Sequence, residues 1–205
     1  MERILTLALV AGTVLAAATS RPERRGRNGL SGESKSLESA EYQQIQANEN
    51  YEIRDYGNIR VVATSKDKTE DNTPTPFFRL YSYIDGQNSQ DVKIPMTRPV
   101  ITKTDTSGVK IMSFVVPKAY KTNTPVPNNP DVKVVDLDVG QVYVKRFLRT
   151  SKASDKDLEE MRKNLLDTLS EEGFTDYEPN TWFNVGYNAP FKPEQTYEIW
   201  LKRRV

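Results

Sequence analysis

The 205-residue sequence contains neither cysteine nor histidine. Their absence excludes a disulfide framework, a thiolate nucleophile, a Ser-His-Asp or Cys-His pair and a tetrahedral zinc site. An excess of charge of one sign is also lacking, because 29 Lys and Arg residues stand against 28 Asp and Glu residues. A balanced total does not provide the broad basic footprint of a nucleic-acid binder. The remaining chemistry is that of carboxylates, lysines, tyrosines and hydroxyls, or binding without catalysis.

Hydrophobic runs are short everywhere except near the N-terminus. Residues 4–18 form an apolar run that ends in Ala16 and Ala18, an Ala-x-Ala pattern typical of signal-peptide cleavage. We therefore predict a signal peptide over residues 1–19 and a secreted protein without a membrane span. The alternative, an uncleaved membrane anchor, is less favoured because the run falls short of the roughly 20 strongly apolar residues that spanning requires.

Residues 20–48 are polar, with hardly any apolar residue at helical or strand spacing. This composition predicts a flexible extension ahead of a globular domain over residues 49–205. The extension begins with a basic cluster of Arg21, Arg24, Arg25 and Arg27. The cluster suits a processing site or a binding patch, whereas a solvated tail is the simpler interpretation.

In the first half of the globular domain, strands alternate with one helix. Residues 51–54 and 59–65 have the composition of strands separated by a turn. A helix is predicted from Pro76, with Thr75 as its N-cap, to Gly86. Its apolar face is formed by Phe77, Leu80, Tyr81 and Ile84. Strand-like segments follow at residues 100–101 and 109–116.

The second half repeats this order. Residues 132–139 and 142–147 form a predicted β-hairpin, and residues 155–172 form the strongest predicted helix. The apolar face of this helix contains Leu158, Met161, Leu165 and Leu169. Two strands are predicted to follow, at residues 182–187 and 196–202. The shared order predicts a duplicated strand-strand-helix-strand-strand unit with a period of roughly 80 to 90 residues.

Several motifs of the globular domain resemble those of one known family. They follow one another from residue 51 to residue 202 and cover essentially the whole domain. The segments are YEIRDYGNIRVVAT (51–64), FRLYSYIDGQN (78–88), KIPMTRPV (93–100), GYNAPF (186–191) and YEIWLK (197–202). The M-T-x-P-V piece and the G-Y-N-x-P ending are distinctive in combination. In these motifs the chain resembles the SOUL (heme-binding protein) family.

The resemblance implies both a fold and a function. The expected fold class is α+β: a distorted eight-stranded antiparallel β-barrel or split sheet built from two pseudo-repeats, each with one helix. Members of the family are described as binding heme and other porphyrins without a known catalytic reaction. The expectation for this chain is a secreted, monomeric tetrapyrrole-binding protein that acts as a carrier or scavenger and is not an enzyme.

A porphyrin site needs an apolar or aromatic slot and cations for the propionates. The resemblance places the site on the first helix and on the loop before the last strand. The candidate residues are Phe77, Phe78, Arg79 and Tyr81 on the helix, and Tyr187, Phe191 and Lys192 on the loop. In the simpler interpretation, the helical aromatics are core residues of an amphipathic helix and Lys192 is a solvated lysine.

Axial ligation of iron is where the sequence departs from the family pattern. Some members carry a histidine in the Y-E-x-R-x-Y motif, and Asp55 occupies that position here. The remaining candidate ligands are Met96, Met112, Met161, Tyr56, Tyr81 and Tyr187. Binding through the ring face and the propionates, with loose or no coordination, does not depend on any of them.

Alternative functions remain open. The same scaffold suits a protein-interaction module that has lost heme binding and uses helix 155–172 or the basic cluster to bind a protein partner. A different amphipathic small molecule is a further alternative ligand. Catalysis is not expected, because the carboxylate pairs of the sequence fit strand edges, a helix start and a solvated helix face.

Overall fold

The fold combines one large antiparallel sheet with two helices. The computed structural model describes residues 37–66, 74–189 and 192–205. The strands are β1 (Glu38–Ser39), β2 (Gln43–Ala47), β3 (Glu52–Asp55), β4 (Asn58–Ser65), β5 (Thr97–Arg98), β6 (Val100–Thr104), β7 (Lys110–Val115), β8 (Lys133–Asp138), β9 (Gln141–Arg149), β10 (Tyr177–Gly186) and β11 (Gln195–Arg203). The helices are α1 (Pro76–Ile84) and α2 (Asp155–Glu171). The predicted signal peptide lies outside the described residues.

Nine strands form the main sheet in the order β2-β3-β9-β11-β10-β6-β7-β4-β8. All neighbouring pairs in it are antiparallel. The predicted α+β class is confirmed, but the predicted eight-stranded barrel is wrong, because the sheet ends at β2 and β8 and does not close. A split sheet agrees with the observed order. β1 and β5 form a separate parallel pair.

The strand order is symmetric about the β6–β10 pair. Without the edge strand β2, it maps onto itself when β3, β4, β6 and β7 exchange with β8, β9, β10 and β11. Each half therefore contains two strands, a helix and two strands, the order predicted from the sequence. At the bends between β3 and β4 and between β8 and β9, Gly57 and Gly140 have positive φ angles of 54° and 61°. The Gly140 amide donates to the Gly57 carbonyl at 2.9 Å, which holds the two bends together.

The sheet has one central core and one helix-covered core on each half. Buried residues of β4, β6, β7, β9, β10 and β11 form the central core, including Val61, Ile101, Val142, Phe183 and Trp200. The predicted face of α2 is buried as expected and packs against β9, β10 and β11. On β11, both faces are buried, because Glu198 and Trp200 point to one core and Ile199 and Leu201 to the other.

The buried face of helix α1 agrees with the predicted one at Leu80 and Ile84 and differs from it at Tyr81. Leu80, Tyr83 and Ile84 pack against β4 and β7. Tyr81, predicted as part of the apolar face, is 45% exposed, and Phe78 is 59% exposed. The helix therefore carries aromatic side chains on a side that no core covers.

Part of the segment predicted to be a flexible extension, residues 20–48, forms a strand. Strand β2 lies within this segment and pairs with β3. All five of its residues are exposed. Because neither face is buried, the sequence of the strand does not show the alternation of apolar and polar residues that predicts a strand. Backbone hydrogen bonds at the edge of the sheet hold it in place instead. The part of the predicted extension before residue 37 lies outside the described residues.

Candidate functional site

The exposed side of α1 carries three aromatic rings. Pro76 begins the helix, and the turn that follows places Phe77 and Tyr81 with nearly parallel rings, their centroids 6.3 Å apart and their planes at 14°. Phe78 meets Phe77 edge to face at 5.8 Å. The other edge of Phe77 packs against Phe114 of β7 at 5.3 Å, which fixes the group on the sheet.

These rings line a cleft of about 550 Å³, which we call the apolar cleft. Two further walls come from residues 96–98 with Val100 and from residues 186–189, and the lining also includes Leu37 and Lys152. The short β1–β5 pair holds the first of these walls, and the Ala40 amide donates to the Arg98 carbonyl at 3.0 Å. The second wall is held where the Tyr187 amide donates to the Thr196 carbonyl at 3.1 Å.

The structure brings together some of the predicted site residues and not others. Phe77, Phe78, Tyr81 and Tyr187 all line the apolar cleft. Lys192 does not line it, and its side chain is exposed. Phe191 lies outside the described residues.

Arg79 does not line the apolar cleft, although its neighbours Phe78 and Tyr81 do. The residue is only 3% exposed, and its Nη2 donates to the Ser65 carbonyl at 2.6 Å. Its Nη1 lies 3.9 Å from an Asp131 carboxylate oxygen. The guanidinium is therefore turned toward the end of β4, and the role predicted for it, a carboxylate partner in the site, does not fit this geometry.

The cations that line the cleft were not assigned to the site from the sequence, whereas Met96 was considered there only as a candidate iron ligand. Arg98 belongs to the M-T-x-P-V piece, which carried the family resemblance. Lys152 stands in the short loop before α2, where no local pattern marks it. Leu37 falls within the segment predicted to be a flexible extension. Nothing local in the sequence indicates that these residues meet.

Tyr187 is held in the cleft wall by a buried carboxylate. Its hydroxyl donates to Glu198 Oε2 at 2.8 Å, and Glu198 is fully buried. Three further side chains donate to the same carboxylate, namely Arg54, Arg146 and Trp200. Each of the two Glu198 oxygens accepts three hydrogen bonds, and these bonds offset the cost of burying the charge.

The electrostatics of this pair keep both groups in their ordinary protonation states at neutral pH. Burial raises the pKa of the Tyr187 hydroxyl, and the negative charge of Glu198 raises it further. Burial by itself also raises the pKa of Glu198, but the Arg54 charge and the hydrogen bonds from Trp200, Arg54 and Tyr187 outweigh it and leave the pKa below its usual value. Tyr187 is therefore a neutral donor, which does not suit it to bind iron as a tyrosinate.

Most of the other candidate iron ligands lie away from the cleft. Tyr56 stacks on Trp200 in the central core at 4.4 Å, Met161 lies on the buried face of α2, and Met112 packs against the core beneath α1. Met96 and Tyr81 do line the cleft. Asp55, at the position where some members have histidine, accepts from the Gly57 amide at 2.8 Å. In the described part of the chain, no group of three or more acidic residues is placed to hold a metal.

Comparison with known proteins gives one family and several relatives. The family model described as SOUL heme-binding protein matches residues 37–202. Human "Heme-binding protein 2" is 30% identical over 160 residues, covering 74% of this chain and 77% of that protein. The mouse protein of the same name is 28% identical with the same coverage. Bovine "Heme-binding protein 1" is 24% identical and covers 60% of this chain and 66% of that protein.

A solved structure shares the fold at low sequence identity. It is described as a hydrolase from Listeria innocua and is 10% identical, with a TM-score of 0.50. The match covers 77% of this chain and 93% of that one. At this identity the likeness concerns the fold alone.

Proposed function

The chain belongs to the SOUL heme-binding protein family, and on that premise we propose that its apolar cleft binds heme or another porphyrin. The protein acts as a carrier or scavenger of this ligand and performs no catalysis. The predicted signal peptide places this activity outside the cell. Among the described residues, no helix has both the length and the apolar character needed to cross a membrane.

One observation carries the proposal: the exposed aromatic face of α1 forms one wall of a concave apolar surface. The cleft volume of about 550 Å³ falls within the range of about 300–1,000 Å³ found for small-molecule sites. Phe78 and Tyr81 are large side chains that remain 59% and 45% exposed. Covering them with a flat apolar ring removes that surface from water and stacks aromatic faces, and both effects favour binding.

Among the described residues that line the cleft, none is a strong ligand for iron. The candidate ligands there are Met96, Tyr81 and Tyr187, and the Tyr187 hydroxyl is already bound to Glu198. Binding energy therefore comes from ring contact and from the propionates rather than from the metal. Heme and metal-free protoporphyrin IX are expected to bind with similar affinity.

An absorbance titration of the purified full chain tests this function. We expect a saturable change in the Soret band at about one porphyrin per chain, with heme and with protoporphyrin IX. Phe78→Ser removes an exposed ring from the cleft, so it weakens both complexes by roughly tenfold, the equivalent of about 1.4 kcal/mol.

The matched control is Val126→Ser, because Val126 is 64% exposed and does not line the cleft. This variant keeps the wild-type affinity. If the spectra of both porphyrins do not change when micromolar protein is added, the proposed function is rejected and the protein-interaction alternative is favoured. Equal weakening by both variants would reject the cleft as the site.

A further inference from the structure

A second concavity adjoins the apolar cleft and differs from it in charge. It has a volume of about 460 Å³ and contains Arg54, Arg98 and Arg146; we call it the arginine pocket. Tyr42 and Thr196 also line it. Arg98, Tyr187 and Asn188 belong to both concavities. The two concavities therefore adjoin, and these three residues form the wall that they share.

The charge of the arginine pocket is positive. Its charged lining residues are all arginines, with no carboxylate from the described part of the chain. Arg54 and Arg146 both contact Glu198, and the Arg54 Nε also lies 2.8 Å from Glu52. Glu198 itself is fully buried behind the pocket. The two carboxylates thus balance two arginines, and Arg98 adds an uncompensated positive charge.

Arg98 and Arg146 keep donors for an anion. The Arg98 Nε donates to Ser39 Oγ at 2.9 Å, and its Nη groups have no partner among the residues the structure describes. Arg146 reaches Glu198 through Nε and Nη2, which leaves Nη1, and its side chain is 55% exposed. A guanidinium presents its donors in a planar fork that matches a carboxylate.

We propose that the arginine pocket binds a carboxylate of the same ligand whose apolar ring lies in the cleft, with Arg98 and Arg146 as its partners. This inference rests on the proposed function, since it assigns the acid group of that ligand. The observation that supports this inference is the position of Arg98 in the wall that the two concavities share. An acid group at the edge of a ring in the cleft would reach the arginine pocket at this wall. Arg54 lies behind and holds the buried Glu198 that orients Arg146. Ligands without an acid group bind weakly.

The test compares protoporphyrin IX with its dimethyl ester, which has the same ring and no free carboxylate. Near neutral pH the wild-type full chain is expected to bind the diacid at least about tenfold more tightly than the ester, as for hydrogen bonds to a charged group. Arg98→Gln and Arg146→Gln each lower affinity for the diacid by about fivefold or more. Both leave affinity for the ester within about twofold.

Lys192→Gln is the matched control, because Lys192 was the loop cation predicted from the sequence and lines neither concavity. It is expected to change neither affinity. Equal binding of diacid and ester overturns the inference and leaves the proposed function standing, whereas binding of neither rejects the function itself. A loss in Lys192→Gln that matches the loss in Arg98→Gln also overturns it. The ester comparison needs no variant. Among the described residues the Arg98 side chain makes one hydrogen bond, so Arg98→Gln is expected to fold even if Arg146→Gln does not.

Discussion

At the scale of single residues, Glu198 organises the buried polar groups of the domain. It lies on β11 with no exposed surface and accepts hydrogen bonds from Arg54, Arg146, Tyr187 and Trp200. One carboxylate thus fixes both the Tyr187 wall of the apolar cleft and the arginines of the neighbouring pocket. A substitution at Glu198 is therefore expected to lower the stability of the fold and to change the shape of the site.

Glu198→Gln tests this role. The substitution leaves the Arg54 charge in the interior without its main partner, so we expect it to lower the free energy of unfolding by about 3 kcal/mol or more. Urea denaturation followed by circular dichroism near neutral pH measures the loss. Arg60→Gln is the control, because the Arg60–Asp136 pair is largely exposed and such pairs contribute little. Similar losses in the two variants would contradict the assignment.

The pH dependence of stability gives an independent measurement on the same residue. The pKa of Glu198 is lower in the folded protein than its ordinary value, as the Arg54 charge and its hydrogen bonds outweigh the effect of burial. The carboxylate therefore stabilises the fold fully above its unfolded pKa of about 4.3, and this contribution is lost as the pH falls through the lower folded pKa. Between about pH 5 and pH 3 the wild type is expected to lose more stability than Glu198→Gln. If the stability of the two proteins falls in parallel over this pH range, the stabilising role of the Glu198 carboxylate is contradicted.

At the scale of elements, the two helices begin differently. Ser154 and Asp157 form a complete capping box at the start of α2, with the Ser154 amide donating to Asp157 at 2.7 Å and the Asp157 amide donating to Ser154 Oγ at 3.2 Å. Thr75 stands at the equivalent position of α1, as predicted, but its side chain makes no capping hydrogen bond. The first helix starts instead through Pro76, whose fixed φ suits the first helical position.

This difference predicts unequal effects of the same change. Ser154→Ala removes a capping acceptor, so it is expected to lower the free energy of unfolding by about 1 kcal/mol. Thr75→Ala removes no capping bond, so its effect is expected to be a few tenths of a kcal/mol at most. Thermal and urea denaturation of both variants measure the two losses. A loss in Thr75→Ala as large as that in Ser154→Ala would show that the capping geometry does not matter.

Local sequence patterns predict some of the helices and strands correctly and others incorrectly. Helix α2 is predicted well, because its apolar periodicity is local. The predicted β-hairpin of residues 132–139 and 142–147 is wrong: both strands form, but β8 pairs with β4, and β9 pairs with β3 and β11. The apolar face of α1 is predicted correctly at Leu80 and Ile84 but not at Tyr81, because the periodicity does not show how far the buried face extends around the helix. A charged residue such as Arg79 is not expected in a core, and its burial depends on Ser65 and Asp131, which only the folded chain brings near.

At the scale of the whole molecule, the site is assembled from distant parts of the chain. Leu37, the α1 aromatics, residues 96–98 with Val100, Lys152 and residues 186–189 meet in one cleft. The family resemblance pointed to two of these segments, α1 and the loop before β11. The cations of the site could not be predicted, because Arg98 and Lys152 reach the cleft only through strand pairing and loop placement. The open sheet, predicted as a barrel or split sheet, depends in the same way on long-range pairing.

Methionine methyl resonances in the full chain test the central claim most directly. Met96 lines the apolar cleft, whereas Met161 lies on the buried face of α2. A porphyrin ring current shifts the resonances of nuclei close to the ring face. Titration of the isotope-labelled protein with metal-free protoporphyrin IX is predicted to shift the Met96 methyl resonance until saturation and to leave the Met161 methyl resonance unchanged. An unmoved Met96 resonance while porphyrin binds, or a larger shift at Met161, would contradict binding in the cleft.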